Sequence, residues 1–572
     1  MKQIIKSILP LFVLAASFSS CRNNTPKEAR YIPKDAGAVM VLDPQQLQDK
    51  LQKGGISVDT LIGRVFKNEP ADSRERAMFD SMRLHAGINW NEKIYLFVQQ
   101  KSYADQSSSV TMSVLGSIKD QSTLEAFIKS QGHLKDKQVQ KEKDFSYLLP
   151  HESTMLAWND KQLIVTHYMH DTKAVYDTAS MTFKPGAPVN LEREMKEQVT
   201  RYFTQKSSES MADVTAFNDM FKDKADGYLF TSTNSFLGKL DMLPIQVPKL
   251  EELLKDNYST ATLTFDDGKI TAHATGYVNP VLAGIIKQYS GRTIDMSLLE
   301  HYPSSNIAGF WITAFNPELL GGLLRYLEVE GMANDMLQKK IGLTTGDLYK
   351  SLRGDIAVIV SDLGRTGVEP QMKMDERSMM QKHTWGKMIL IAPIGDKASF
   401  TKSMDKCVEL GFVAKTGATY KLAGPLNSMV YLQADEKNLV IASDSATYAS
   451  YMSGTAKASI PKEILDRLKG KTGAAYFDIA GTLGGFVNDS TSKFNHSLVA
   501  AKETFRDFIS TSDPFDGNTH KTVIEVRMQN EKQNSLVTLT SLITDIAIDM
   551  RAQTKKEREL FPGGVPAIIR TN

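Results

Sequence analysis

Ser399-Phe-Thr-Lys402 sets a serine three residues before a lysine, and Lys415-Thr-Gly417 and Lys471-Thr-Gly473 follow it. In acyl-transfer enzymes a lysine at that spacing takes the proton of the serine nucleophile. The spacing recurs at Ser403, Ser459 and Ser490, however, and no Ser-Asp-Asn or Tyr-x-Asn lies between the motifs. A pattern this degenerate and incomplete is what composition alone produces. Gly470-Lys-Thr-Gly473 has Leu465 where a phosphate loop needs its first glycine. It also precedes an apolar strand, where a phosphate loop would lead into a helix whose N-terminus faces the anion. His167 and His170 stand three apart at a strand-to-helix junction, without the further ligands that zinc requires. Met372, Met374, Met379 and Met380, with His383, could offer soft ligands to a metal from the exposed loop 363–385. Adaptable apolar cover is the simpler use of such methionines. His-Glu-x-x-His, Gly-x-Ser-x-Gly, Cys-x-x-Cys and Gly-x-Gly-x-x-Gly are all missing from the sequence. The expectation is a chain with no catalytic residues, no metal and no cofactor.

One residue does point to covalent chemistry. Lys2 and Lys6 precede the apolar run 7–16, and small residues then lead to Cys21. That is the layout of a secretory signal, with an apolar part too short for a membrane span. Cys21 stands where bacterial lipoprotein signals place the cysteine that is acylated and becomes the new N-terminus, although Phe18 replaces the leucine usual three positions earlier. Cys407 is the other cysteine, so no disulfide framework exists and packed cores must supply stability. On the amphipathic stretch around it, Cys407 reads as a small buried apolar group.

Composition sets the class. A chain of 572 residues with 41% hydrophobic and 23% charged residues is folded, and too long for one ordinary core. Removing Lys2 and Lys6 with the signal leaves 66 of 68 basic residues against 66 acidic ones. So balanced a body gives no support to nucleic-acid binding or to a polybasic membrane patch.

The elements that would position any site can be read twice. "NDKQLIV" at 159–165 and "DEKNLVI" at 435–441 are both a polar turn entering an apolar strand, 276 residues apart. The same offset matches 114–128 to 390–404, and other offsets match 90–99 to 352–361, 31–51 to 301–324 and 227–240 to 474–487. Five segments recurring in one order indicate a tandem duplication of about 250 residues. The equivalences include Ile94 with Ile356, Ile118 with Ile394, Leu163 with Leu439 and Phe236 with Leu483, all expected to be buried. Short β-rich runs, polar hairpin turns and single helices give an α+β fold, each repeat a mainly antiparallel sheet with helices on one face. The boundaries expected are a signal over 1–20, a tether over 21–30, repeats over 31–300 and 301–550, and a C-terminal tail over 551–572. Residues 186–225 read as a polar, helix-prone insertion in the first repeat.

A lipoprotein signal, a short polar tether and "YIPKDAGAVMVLD" opening a long duplicated α+β body resemble a family of bacterial cell-envelope lipoproteins known only as a domain of unknown function. The resemblance implies an envelope location and supplies no catalytic residues. Arg22, Asn23, Asn24 and Thr25 differ from the acidic run that sends related lipoproteins to the cell surface, and position 22 is not the Asp that favours inner-membrane retention. This implies an outer-membrane lipoprotein facing the periplasm. The leading reading is therefore a non-enzymatic scaffold anchored through lipid on Cys21, binding an envelope protein, small molecule or lipid between its repeats. The competing reading is a periplasmic hydrolase with a dispersed active site.

Overall fold

The computed structural model describes residues 25–546 apart from 66–73, 104–106, 133, 172–174, 178–181, 185–188, 243–246, 305, 364–385, 425–429 and 487–494. Cys21, the tail 551–572 and the methionines and histidine of the 363–385 loop lie outside the described residues. The chain divides into two compact units, each discontinuous in sequence. The first comprises residues up to Leu42 with Gly87–Asn89 and Ile94–Ser235; the second comprises Asp43–Ala86, Trp90–Lys93 and Phe236 onward. Where the tether was expected, Lys27–Tyr31 form a 3-10 helix that buries Glu28, Ala29 and Tyr31.

The first unit is built on β1 (Ala38–Leu42), β2 (Ile94–Ser102), β3 (Ser108–Ser117), β4 (Gln140–Lys141), β5 (Ser146–His151), β6 (Thr154–Trp158) and β7 (Gln162–Asp171). A separate ribbon pairs β8 (Val175–Asp177) with β9 (Thr182–Lys184). The main sheet closes with β10 (Gly227–Ser232) and runs β10-β1-β2-β3-β7-β6-β5-β4, antiparallel throughout. In the second unit the strands are β11 (Tyr258–Asp266), β12 (Lys269–Tyr277), β13 (Ile307–Ala314), β14 (Asp355–Ser361), β15 (Lys387–Pro393), β16 (Val413–Thr416), β17 (Thr419–Leu422), β18 (Tyr431–Ala434), β19 (Asn438–Ala442), β20 (Gly473–Phe477), β21 (Phe505–Ser512) and β22 (Thr519–Met528). They run β11-β12-β22-β21-β20-β13-β14-β15-β19-β18-β17-β16, again antiparallel. The fold is α+β, as the sequence predicts. From β20 to β16 this order repeats that of the whole first-unit sheet.

The opening fragments form the turns expected of them. Asn159 Oδ1 accepts from the N–H groups of Lys161 (2.9 Å) and Gln162 (2.8 Å), and Asp435 Oδ1 accepts from Lys437 (2.7 Å) and Asn438 (2.8 Å). An Asx side chain satisfying two turn amides is the reason Asn or Asp is needed there. The helices that follow β3 and β15 also start alike, Asp120 accepting from Thr123 N and Asp396 from Ser399 N.

Helices pack on both sheet faces, which corrects the one-face expectation. In the first unit the helix Leu191–Thr204 buries Met195, Val199, Tyr202 and Phe203. Tyr202 meets Phe97 edge-on at 5.2 Å. This helix lies in the expected insertion, and its apolar stripe rather than its polar surface is what matters. The helix Gln121–Ser130 instead covers Leu156, Leu163 and Trp158 on the opposite face. Alternate strand residues point to opposite faces, and both alternations here are apolar, so each face demands cover. In the second unit the short helices around Leu298 and Ile464 cover Ile312, Ile359 and Val440, while Phe400 and Met404 of the helix Lys397–Glu409 pack against Leu439 on the other face. Cys407, expected to be buried, is half-buried in that helix and packs against the same apolar cluster.

Two details of the expected equivalences change. Of the eight residues expected to be buried, Ile118 is buried; Ile94, Ile356, Ile394, Leu163, Leu439 and Leu483 are half-buried, and the side chain of Phe236 lies outside the described residues. The strand residues among them belong to the faces that the 121–130 and 397–409 helices cover at one end only. The match of 227–240 to 474–487 is also displaced by one. Gly227 pairs with Leu42 and Gly473 with Thr313, so the strand registers set Gly227 against Gly473, not Ala474.

A buried ion-pair network fixes the sheet in the second unit. Arg527 of β22 donates to both carboxylate oxygens of Asp507 on β21, at 2.6 and 2.7 Å, and to Glu463 at 2.9 Å. Burial alone would lower the Arg527 pKa, but the Asp507 and Glu463 carboxylates outweigh it and hold the guanidinium above its ordinary value. Glu525 takes Lys269 at 2.8 Å and Arg467 at 2.5 Å. These cations overcome the burial that opposes ionisation and keep the Glu525 carboxyl below its ordinary range. Removing one partner strands the other charge in the interior. Asp507→Ala is therefore expected to cost about 3–5 kcal/mol in denaturant unfolding, whereas joint Asp507→Leu and Arg527→Met is expected to recover most of it. Equal losses in the two proteins would count against this account.

Candidate functional site

Strand β3 reads Ser-Ser-Val-Thr-Met-Ser-Val-Leu-Gly-Ser, and its pleat faces the unexpected way. Ser109, Thr111 and Ser113 point to the face covered by the 191–204 helix and are buried, while Met112 and Val114 point to the other face and are exposed. A strand with one wet face normally does the reverse. The registers then assemble a row across neighbouring strands. Leu229 pairs with Met40, Met40 with Leu96, Leu96 with Val114 and Val114 with Val165. Met40 is 40% exposed, Val114 39% and Leu229 44%. Flanking rows add Leu42 and Ile94 on one side and Val98 and Met112 on the other. The second unit has a corresponding row, Ala475, Trp311, Val358, Leu390 and Ile441, with Trp311 47% exposed.

The covered side of the same strands carries a hydroxyl network. The Ser113 and Thr166 hydroxyls lie 3.1 Å apart, and the Tyr202 hydroxyl donates to Gln99 Oε1 at 2.7 Å. The Tyr103 hydroxyl lies 3.1 Å from that of Tyr168 and 3.2 Å from that of Ser109. Burial pushes both Tyr168 and Tyr202 above the ordinary phenol value. His170 stacks on Tyr168 with ring centroids 6.3 Å apart and meets Tyr103 edge-on at 5.6 Å. These contacts make ring packing rather than a nucleophile–base hydrogen bond. The nucleophile test is geometric, and the cluster does not meet it.

The residues first singled out are not brought together. His167 and His170 both sit within β7, not at a strand-to-helix junction, and three residues along a strand put them on opposite faces. His167 is on the exposed face, its Nδ1 3.0 Å from Thr154 Oγ1. Ser399 is the third residue of a capped helix turn, and its partner Lys402 is held by Asp347 at 2.6 Å. Lys415 and Lys471 are likewise held, by Asp405 at 2.7 Å and Asp513 at 2.5 Å. A broad cleft of about 790 Å³ in the second unit is lined by Lys397, Lys402 and Lys406, but each lysine already faces a carboxylate. The apolar row escaped the sequence reading because β1 and the start of β2 are apolar on both alternations. The signal that could have found it is β3, where serine and threonine alternate with valine and methionine.

Because the row is already open to solvent, a polar residue there loses little burial. Val114→Ser is expected to change stability by no more than about 0.5 kcal/mol, and Phe97→Ala on the covered face to cost about 3–5 kcal/mol. A cost for Val114→Ser as large as that for Phe97→Ala would mean that the row is covered in the free protein.

A family model described as Domain of unknown function (DUF4836) matches residues 29–482. No curated protein matches the chain. Among solved structures, crystal form I of TP0453 is 12% identical, covering 44% of this chain and 78% of that one with a TM-score of 0.19. Crystal form III is 12% identical over 47% and 88%, with a TM-score of 0.21. Among the described residues, no helix is long and apolar enough to cross a membrane.

Proposed function

The chain belongs to the DUF4836 family, and for this member we propose the role of a non-enzymatic cell-envelope lipoprotein that binds an apolar ligand on the open sheet face of its first unit. The observation that carries the binding role is the reversed pleat of β3, which spends Met112 and Val114 on solvent while Ser113 is buried. Exposed apolar patches rimmed by polar residues mark interaction sites. The anchor is Cys21, and the location is the outer membrane, facing the periplasm. The Ser109–Tyr103–Tyr168 hydroxyls beside His170 are the feature that favours the hydrolase alternative, and their packing geometry leaves it second.

We further propose that the body arose by tandem duplication. Support comes from the repeated strand order, the paired Asx turns and the two Asp-capped helices. Matching strand-end bridges add to it, Ile88 with Ile118 and Leu352 with Ile394. The two hairpins β11–β12 and β21–β22 meet antiparallel along β12 and β22, as elements related by an approximate two-fold axis would.

Fractionation tests the anchor. One acyl chain binds a membrane marginally and several bind firmly, at about 0.8 kcal/mol per buried methylene. Cys21→Ala is therefore expected to move the protein from washed membranes to the soluble fraction. Retention of the variant on the membranes would remove the lipoprotein reading.

A further inference from the structure

We infer that the open face of the first unit holds the acyl chain of a single lipid molecule. This inference names the ligand class for the binding face proposed above and rests on that reading. Three properties of the face lead to it: its charge, its dimensions and its side-chain types.

The face is built from segments 38–42, 94–98, 112–116, 163–167 and 227–231, and these contain no Lys, Arg, Asp or Glu. A protein partner with an ordinary charged rim would find no counter-charge among them, and every polar group it buried there would lose water without replacement. A bilayer surface is also a poor match. Peripheral attachment to anionic lipid draws on clustered Lys or Arg, and interfacial seating on Trp and Tyr. The outward positions of these five strands supply neither, only Leu, Val, Ile, Met, small residues and His167. An occupant with no charge and no hydrogen-bonding groups along the contact is what such a surface leaves unpenalised.

Size then separates a chain from a protein. Five strands at about 4.8 Å spacing give the row a length of about 24 Å, and three rows of alternate residues give a width of about 20 Å. The resulting area, on the order of 500 Å², falls short of the roughly 800 Å² per partner of a stable protein interface, a second copy included. The row is longer than one leaflet of bilayer hydrocarbon, about 15 Å, so an acyl chain as packed in a membrane fits along it. Met40 and Met112 are exposed in these rows. Their unbranched, polarizable side chains can mould to a chain that lacks a fixed shape.

The test uses the chain from Arg22 onward, which lacks only the expected signal and Cys21, purified without detergent. Its outcome therefore does not depend on whether Cys21 anchors the native protein. The probe is a fluorescent sixteen-carbon fatty acid held below its micelle concentration. Saturable binding is expected, weakening as the probe is shortened toward ten carbons, by up to about fourfold per methylene lost. Val114→Glu and Met40→Glu are each expected to lower affinity at least tenfold with unchanged circular dichroism and melting. Ile543→Glu, at an exposed apolar residue elsewhere, is expected to leave affinity unchanged. Equal binding by Val114→Glu and the parent chain overturns the inference. So does binding to phosphatidylcholine vesicles without binding of the monomeric probe. Light scattering that shows a dimer abolished by Val114→Glu, with no probe bound, overturns it in favour of a second copy. Retention of native Cys21→Ala protein on membranes would refute the anchor and leave these results standing.

Discussion

Nine consecutive residue pairs, from Lys269 with Arg527 to Tyr277 with Thr519, join β12 to β22, and the architecture of the second unit depends on that ladder. Two hairpins distant in sequence become one sheet there, so each gains a neighbour for an otherwise open edge. The ladder also sets the charges. It brings Lys269 to Glu525, and Arg467 of the 462–468 helix bonds the same carboxylate, so that helix is tied to the joint. Arg527, paired with Lys269 at the end of the ladder, is already committed to Asp507 and Glu463. At the turn before β12, Gly268 has φ +68° and lies so close to the Glu531 backbone that a Cβ would stand 2.5 Å from its Cα. Only glycine serves both needs. Contacts this distant in sequence must overcome chain-closure entropy before they stabilise anything, so the joint should be among the later events of folding.

The same alternation rule that makes these sheets stable makes the open face conspicuous. A strand apolar on both alternations is suited to burial on both faces. β1 and the start of β2 meet that description, and the 191–204 helix supplies one cover. The 121–130 helix supplies the other only at the hairpin end, where Trp158 donates to Glu125 at 3.1 Å and Leu124 closes over Leu163. Beyond that end the face carries Met40, Val114 and Leu229 in the open. Edge pairing is not the hazard at β1 and β3, which lie inside the sheet; the hazard is face-to-face adhesion. A ligand seated on the row would remove it.

What the sequence made legible was local. The polar turns at 159–165 and 435–441 depend on a few neighbouring residues, and each was readable from type and spacing. Face assignment was not. Ile94 and Tyr95 are both apolar, so composition could not say that Tyr95 is buried and Ile94 only half-buried. Likewise "GYLFTS" and "AAYFDI" align plausibly one residue out of step, because Phe230 can be set against either Phe477 or Tyr476. Only the pairing of Gly227 with Leu42 and Gly473 with Thr313 decides the register. His167 and His170 were misplaced for a related reason: β7 runs on through polar residues to Asp171, further than its apolar run suggests.

The hydroxyls of the first unit and its apolar row are two sides of one device. On the proposed duplication, Ser113 and Thr166 stand where the second unit has Ile389 and Ala442, both fully buried. Exchanging aliphatic groups for hydroxyls gives up apolar burial and demands hydrogen bonds in return. Those bonds are made, Ser113 with Thr166 and Tyr202 with Gln99. Apolar packing is non-directional and lets a helix slide, whereas a satisfied hydroxyl network admits one position. Tyr202 thus pins the 191–204 helix over β2, β3 and β7. Each pinned residue has a neighbour in the strand that faces the other way: Val114 beside Ser113, Val165 beside Thr166, Val98 beside Gln99. Holding the polar side in a single register holds the apolar side flat and aligned, so a network without catalytic geometry still determines the shape of the surface opposite it.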